Sequence, residues 1–163
     1  MSKINTKSKN LLHLLLGFLI AMVSIAEAAT NAVGEWKLNE VWRENEAEPL
    51  SITRDGESYI MKIYPDDEKS PGSHRFSVKV GNSLTSSIKI LEEDGDQQKI
   101  EIGFVMSTRM MPRSEEKREL EGYLSDQLPK MTSMRVKDEG EELILSTESG
   151  ARMVCAPVTE SEN

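Results

Sequence analysis

Apolar and polar residues alternate along several short stretches of this chain, and this period of two constrains the fold more than any other feature. The alternation is clearest at four apolar residues spaced two apart, Ile100, Ile102, Phe104 and Met106. Such spacing is typical of a strand that buries one face and leaves the other in water. Because short turns rich in Gly, Asn and Asp separate successive stretches, the strands are expected to pair antiparallel.

The predicted strands cover most of the chain beyond its N-terminal segment. In chain order they lie near residues 36–42, 51–53, 59–64, 76–80, 84–90, 100–106, 131–136, 142–146 and 152–156. Gly81-Asn82, Asp94-Gly95-Asp96 and Glu148-Ser149-Gly150 are among the turn signals between them. The chain shows neither an internal repeat nor a long linker, so a single folded domain is expected.

One segment between the sixth and seventh predicted strands has helical spacing. Leu120, Tyr123, Leu124 and Leu128 form one apolar stripe at that spacing. Ser114 is the predicted N-cap of this helix, because its hydroxyl can accept a hydrogen bond from a backbone N–H of the first turn.

These elements together predict an α+β fold that is mainly β. We expect a curved antiparallel sheet or partial barrel with one amphipathic helix packed on it, because the helix can bury its apolar stripe only against the sheet. Leu124 of the helix is expected to be buried against the strand layer that contains Phe104.

The N-terminal segment has the arrangement of a secretory signal peptide. Three lysines precede an almost unbroken apolar run over residues 11–23, and the small residues Ala26 and Ala28 follow it. This order predicts a signal peptide over residues 1–28, cleavage before Ala29 and secretion of the remaining chain.

A retained signal anchor, which would leave a membrane-attached protein, is the alternative. The apolar run is about 15 residues long even when it is extended to Ile25, whereas a spanning helix needs about 20. Cleavage is therefore the preferred interpretation. The folded domain is then expected over residues 29–158, followed by a disordered polar tail over residues 159–163.

The charge of the chain excludes some partners. The formal net charge is −8, and loss of the predicted signal peptide would make the remaining domain more acidic still. Nucleic acid is not an expected partner, because its phosphates would be repelled, and an anionic membrane surface is disfavoured for the same reason. We expect an acidic, soluble monomer.

Cys155 is the one cysteine of the chain, so no intramolecular disulfide can form. Its apolar neighbours Met153 and Val154 predict a buried strand residue with a free thiol. Pairing with another chain in an oxidising compartment is the alternative.

Residue types that carry catalysis are sparse in the predicted domain. His74 is its sole histidine, and we expect this side chain to be solvated or locally hydrogen-bonded. Because His74 and Cys155 are isolated, no metal site is predicted, and no cofactor is expected. The sequence offers no pair of a nucleophile and a base, so the chain is predicted not to be an enzyme and no catalytic residue is assigned.

The segment Ser107-Thr108-Arg109-Met110-Met111-Pro112 joins the last strand before the helix to the helix itself. Its two adjacent methionines favour packing beneath the helix. The alternative is a rim that binds a ligand or a peptide. On that alternative the weak binding candidates are Asn82, Ser107, Thr108, Arg109 and Met110.

The same segment carries a family resemblance. Several short motifs occur in the order found in the META domain: Glu35-Trp36-Lys37-Leu38, Val80-Gly81-Asn82-Ser83, residues 106–112, Glu121 with Leu124, Leu143-Ile144-Leu145, and a turn at Gly150. The chain is similar to this HslJ-like family, in its eukaryotic-type Ser-Thr-x-Met-Met-Pro variant. The cysteine link of many bacterial members cannot form here.

The resemblance implies a mostly antiparallel β domain with one helix, and an association with stress, secretion or virulence. It implies no catalytic residues. The preferred function is that of a secreted or secretory-pathway protein without catalytic activity that binds a protein partner.

A lipocalin-like carrier of a small apolar ligand is the alternative function, because Gly34-Glu35-Trp36 is similar to the opening strand of lipocalins. A carrier needs a large apolar cavity. A packed interior with the helix seated on it would favour the binding module instead.

Overall fold

A ring of antiparallel strands forms the body of the protein. The computed structural model describes residues 32–50, 52, 58–66, 73–108, 114–137 and 140–159. The predicted signal peptide, the candidates Arg109 and Met110, and most of the predicted tail lie outside these residues. Among the residues described, no helix has the length and the apolar character needed to cross a membrane.

The described residues contain nine strands and one α-helix. The strands are β1 (Gly34–Trp42), β2 (Ile60–Pro65), β3 (Ser73–Lys79), β4 (Ser83–Asp94), β5 (Gln97–Ile102), β6 (Met106–Ser107), β7 (Ser133–Lys137), β8 (Glu142–Ser146) and β9 (Arg152–Pro157). The helix α1 (Glu115–Gln127) continues into a short 3-10 turn (Leu128–Lys130).

Eight of these strands close into a barrel. Neighbours around the ring follow the order β1-β2-β3-β4-β5-β7-β8-β9, and β9 pairs back with β1. Every pairing is antiparallel. The short strand β6 pairs with the start of β4, beyond the part of β4 that pairs with β5. The predicted mainly β fold with one packed helix is confirmed, and the partial barrel is a closed one.

The inward-facing side chains of the ring form one core. Buried and less buried residues alternate along β3 and β5, as a strand with one face in the interior requires. The interior of an eight-stranded barrel is just wide enough for side chains to fill it. Phe76 and Leu145 of the barrel share the core with Leu124 and Leu128 from the helix and the 3-10 turn.

The helix α1 begins at the predicted N-cap and lies at one end of the barrel. The Lys117 backbone N–H donates to Ser114 Oγ over 3.2 Å, which confirms the capping prediction. Leu120 and Leu124 are its buried residues. Hydrogen bonds join the helix to residues at the end of β1 and at the β3–β4 turn, so the apolar stripe faces the barrel interior.

The prediction that Phe104 is buried near Leu124 is wrong. Leu124 is fully buried, but Phe104 is 86% exposed. The strand β5 ends at Ile102, which pairs with Ile88, and pairing resumes at Met106, which faces Thr85. The segment from Ile102 to Met106 is therefore one residue longer than the segment of β4 that it faces, from Ile88 to Thr85. This β-bulge turns Phe104 and Met106 to the outside.

Of the two alternatives predicted for His74, the solvated side chain is wrong within the residues described. The side chain is 8% exposed, and its Nδ1 has no hydrogen-bond partner among them. The cause is the period of β3, which places His74 on the same inward face as Phe76 and Val78.

Candidate functional site

Three of the five predicted binding candidates meet at the end of the barrel that carries the helix. Asn82 lies in the β3–β4 turn, Ser107 in β6, and Thr108 directly after it. Glu121 reaches this group from the helix. We call Asn82, Ser107, Thr108 and Glu121 the end cluster. Arg109 and Met110, the other two candidates, lie outside the described residues.

Hydrogen bonds tie the end cluster together. Asn82 Nδ2 donates to Glu121 Oε1 over 2.6 Å, and the Asn82 backbone N–H donates to Glu121 Oε2 over 3.1 Å. The two carboxylate oxygens of Glu121 therefore both accept hydrogen bonds from Asn82. Thr108 Oγ1 donates to Asn82 Oδ1 over 3.1 Å and accepts from the Ser83 backbone N–H over 3.0 Å.

The geometry makes the end cluster a structural joint between three elements. Ser107 Oγ lies 3.4 Å from Glu121 Oε1, at the outer limit of a hydrogen bond. Most polar groups of the cluster hydrogen-bond to one another, so the cluster connects the helix to the β3–β4 turn and to β6. The sequence prediction thus named three residues, Asn82, Ser107 and Thr108, that do come together. Their observed contacts hold elements of the fold to one another.

A second set of contacts holds the same helix to the end of β1. Tyr123 Oη donates to the Trp42 carbonyl over 2.9 Å, and the Arg43 guanidinium lies 5.7 Å from the centroid of the Tyr123 ring. Arg43 also forms an ion pair with Glu119. Burial raises the pKa of the Tyr123 hydroxyl, so the hydroxyl stays protonated and can donate this bond at neutral pH.

The bulge creates an exposed apolar surface on another part of the barrel. Tyr64, Phe104 and Met106 are 41%, 86% and 60% exposed. We call these three residues the aromatic patch. Together with Arg75 they line a groove of about 380 Å³ on the outer face. The sequence analysis missed this surface, because the period of two had placed Phe104 inside.

Small residues and an ion pair shape this groove. A Cβ on Gly103 would lie 2.6 Å from Ser87 Oγ, so a larger residue at this position would force the Ser87 hydroxyl to move. The Gly103 backbone N–H donates to the Ser87 carbonyl over 2.9 Å. Arg75 Nε lies 3.1 Å from Oδ2 of the buried Asp66, and this ion pair places the guanidinium beside the patch.

Cys155 does not belong to any surface site. Its side chain is fully buried in the core, and the thiol is free. Burial raises the pKa of the Cys155 thiol to about 12, so the unreactive protonated form dominates at neutral pH. Within the described part of the chain, no three His, Cys, Asp or Glu side chains group together as metal ligands would.

Comparisons with known proteins bear on the family of the chain. The solved NMR structure of a protein from Burkholderia xenovorans is similar in fold, with a TM-score of 0.60 over 82% of this chain and 88% of that chain, at 17% sequence identity. None of the curated proteins matches the sequence. The sequence profile of the META domain matches residues 30–160. This match spans the whole barrel and its helix, and the chain belongs to the META domain family.

Proposed function

We propose that this chain is an exported META-domain protein without catalytic activity that binds another protein through its aromatic patch. The exposure of Phe104 beside Met106 and Tyr64 is the observation that carries the proposal. Aromatic residues, Met and Arg are enriched at protein interfaces, and contiguous exposed apolar surface is typical of contact sites. Arg75 lines the same groove as these three residues, so aromatic residues, Met and Arg occur together there.

The architecture beneath the patch supports a recognition surface. Phe104 lies on a bulge whose backbone is held to β4, and Arg75 is held by a buried carboxylate. Side chains on an ordered scaffold lose less conformational entropy on binding than side chains on a mobile loop. The aromatic patch is therefore suited to act as the central anchor of an interface.

The absence of catalysis remains part of the proposal. Asn82, Thr108 and Glu121, which would be the natural polar groups of a site at the helix end, are engaged with one another. A role in stress, secretion or virulence rests on the family resemblance alone.

Capture of the physiological partner from the culture medium or secretory fraction tests the patch. We expect the wild-type domain to retain a partner that Phe104→Ser loses, because the substitution removes the largest apolar anchor. Leu91→Ser is the matched control, since Leu91 is also a large exposed apolar residue, 44% exposed, and does not line the groove. A partner retained equally by both variants would refute the assignment.

A carrier of a small apolar ligand is the second candidate, favoured by the closed eight-stranded ring, a strand number that can enclose one small ligand. Core side chains from the ring and from the helix occupy the interior, which weighs against it. Mass spectrometry of solvent extracts of the purified protein tests this candidate, because a carrier should release a stoichiometric ligand.

A further inference from the structure

A second groove crosses the outer face of the barrel where β8 lies between β7 and β9. Its volume is about 520 Å³, within the range of ligand pockets. We call it the β8 groove. It is lined by Arg135 and Lys137 of β7, Ile144 and Glu142 of β8, Arg152 and Val154 of β9, and Glu40 of β1. In the ring of eight, β8 is four strands from β3 in either direction, so the groove lies opposite the aromatic patch.

We propose that the β8 groove binds a short, extended, acidic segment of a partner protein. Ile144 pairs with Val154 on one side and with Arg135 on the other, so an apolar floor lies next to a cation. Arg152 pairs with Ser146 further along the same two strands. The groove therefore presents Arg152 toward one end of a short apolar strip and Lys137 toward the other, while Glu40 lies next to Val154 at the side of the strip.

Arg152 is positioned to bind a carboxylate. Its guanidinium lies 4.5 Å from the centroid of the Trp42 ring, and Trp42 Nε1 in turn donates to Glu40 Oε2 over 2.7 Å. Among the described residues Arg152 has no carboxylate within ion-pair distance. A guanidinium stacked on an indole keeps its planar N–H groups available, and these groups match the geometry of a carboxylate.

The other two cations can exchange their present partners for a ligand. Arg135 pairs with Asp96 over 2.6 Å and Lys137 with Glu142 over 3.4 Å, and all four side chains are at least one-third exposed. Exposed ion pairs of this kind contribute little to stability, so a bound carboxylate can replace either partner at small cost. Three cations and two carboxylates give the groove lining a formal charge of +1, whereas the whole chain carries −8.

The spacing of the groove residues predicts the pattern of the ligand. From Ser146 to Glu142, β8 extends about 14 Å, which equals the length of about five extended residues. Alternate side chains of an extended segment point the same way. A matching ligand would carry an acidic residue at each end and an apolar residue between them, at a spacing of two. One acidic residue would face Arg152 and the other the Arg135–Lys137 pair, while the apolar residue would face Ile144 and Val154.

Titration of the isotopically labelled protein with the capped peptide Glu-Thr-Leu-Thr-Glu tests the proposal by NMR. We expect chemical-shift changes at the backbone amides of β7 to β9 and at the indole N–H of Trp42. The peptide Gln-Thr-Leu-Thr-Gln and the variant Arg152→Gln should each weaken binding by about tenfold or more, because each removes a charge-assisted hydrogen bond.

Arg118→Gln is the matched control, since Arg118 is an exposed arginine on the helix that does not line the groove. Its removal should change the affinity by less than about twofold, because salt screens a distant charge. Phe104→Ser should bind the peptide like the wild type. Equal binding of the glutamine peptide, shifts outside the groove, or no binding would overturn the proposal. Inorganic phosphate that reproduces the shifts with equal affinity would show a simple anion site and overturn the peptide assignment.

Discussion

At the scale of the residue, Asn82 shows how a turn residue can organise the surroundings of a helix. Its backbone N–H and its side-chain amide both donate to Glu121, while its side-chain oxygen accepts from Thr108. The bonds to the carboxylate are charge-assisted and are stronger than neutral ones. One asparagine therefore fixes where the helix and the segment after β6 meet the β3–β4 turn.

Cys155 gives a prediction at the same scale. Because burial raises the pKa of its thiol to about 12, the native protein should react with a thiol reagent at pH 8 far more slowly than the denatured protein. Reaction in denaturant should reach one thiol per chain, since the chain has one cysteine. Rapid labelling of the native protein would contradict full burial.

The same pKa shift has a consequence for alkaline stability. The folded state holds the protonated thiol, whereas an unfolded thiol ionises near its ordinary pKa of 9.0. The stability that Cys155 contributes is therefore complete below about pH 9 and declines as the pH rises toward 12. Cys155→Ala should remove this part of the decline in equilibrium unfolding measured across that range.

At the scale of the element, the helix α1 is held by its apolar stripe and by polar contacts at its flank. Leu124→Ala should lower the free energy of unfolding by about 2–5 kcal/mol, because it leaves a cavity at a fully buried position. Chemical denaturation measures this change. The exposed Arg118→Ala on the same helix should change the value by less than about 0.5 kcal/mol. A similar small effect for both variants would mean that the stripe is not packed against the barrel.

The strands show how far local pattern can predict an element. The alternation predicts β3 and β5, and the turn at Gly81-Asn82 falls between β3 and β4 as expected. The bulge after Ile102 was missed, since an extra residue in one strand depends on the register of its partner. Gly103 carries a faint signal of it, because a glycine within a strand pattern often marks a bulge. That one local change moved Phe104 from the predicted core to the surface.

At the scale of the whole molecule, closure of the barrel and the surface sites depend on pairings between distant residues. A curved sheet and a closed ring share the same alternation, and the difference lies in the pairing of β1 with β9, which are far apart in sequence. The contact of Arg152 with Trp42 arises from that same pairing. By contrast, the candidates Asn82, Ser107 and Thr108 follow from recognisable local motifs, and the fold brings these residues together.

Export of the chain is the last prediction, and it concerns the whole molecule. If residues 1–28 are a signal peptide, the intact mass of the protein recovered from the medium should correspond to a chain that begins at Ala29. Ala28→Arg should block processing, because signal peptidase reads small residues before the cleavage site. Ala47→Arg, in an exposed segment after β1, is the control for the added charge. A full-length, membrane-associated wild-type protein would instead establish the retained signal anchor, and both binding surfaces would then act at the membrane rather than in the medium.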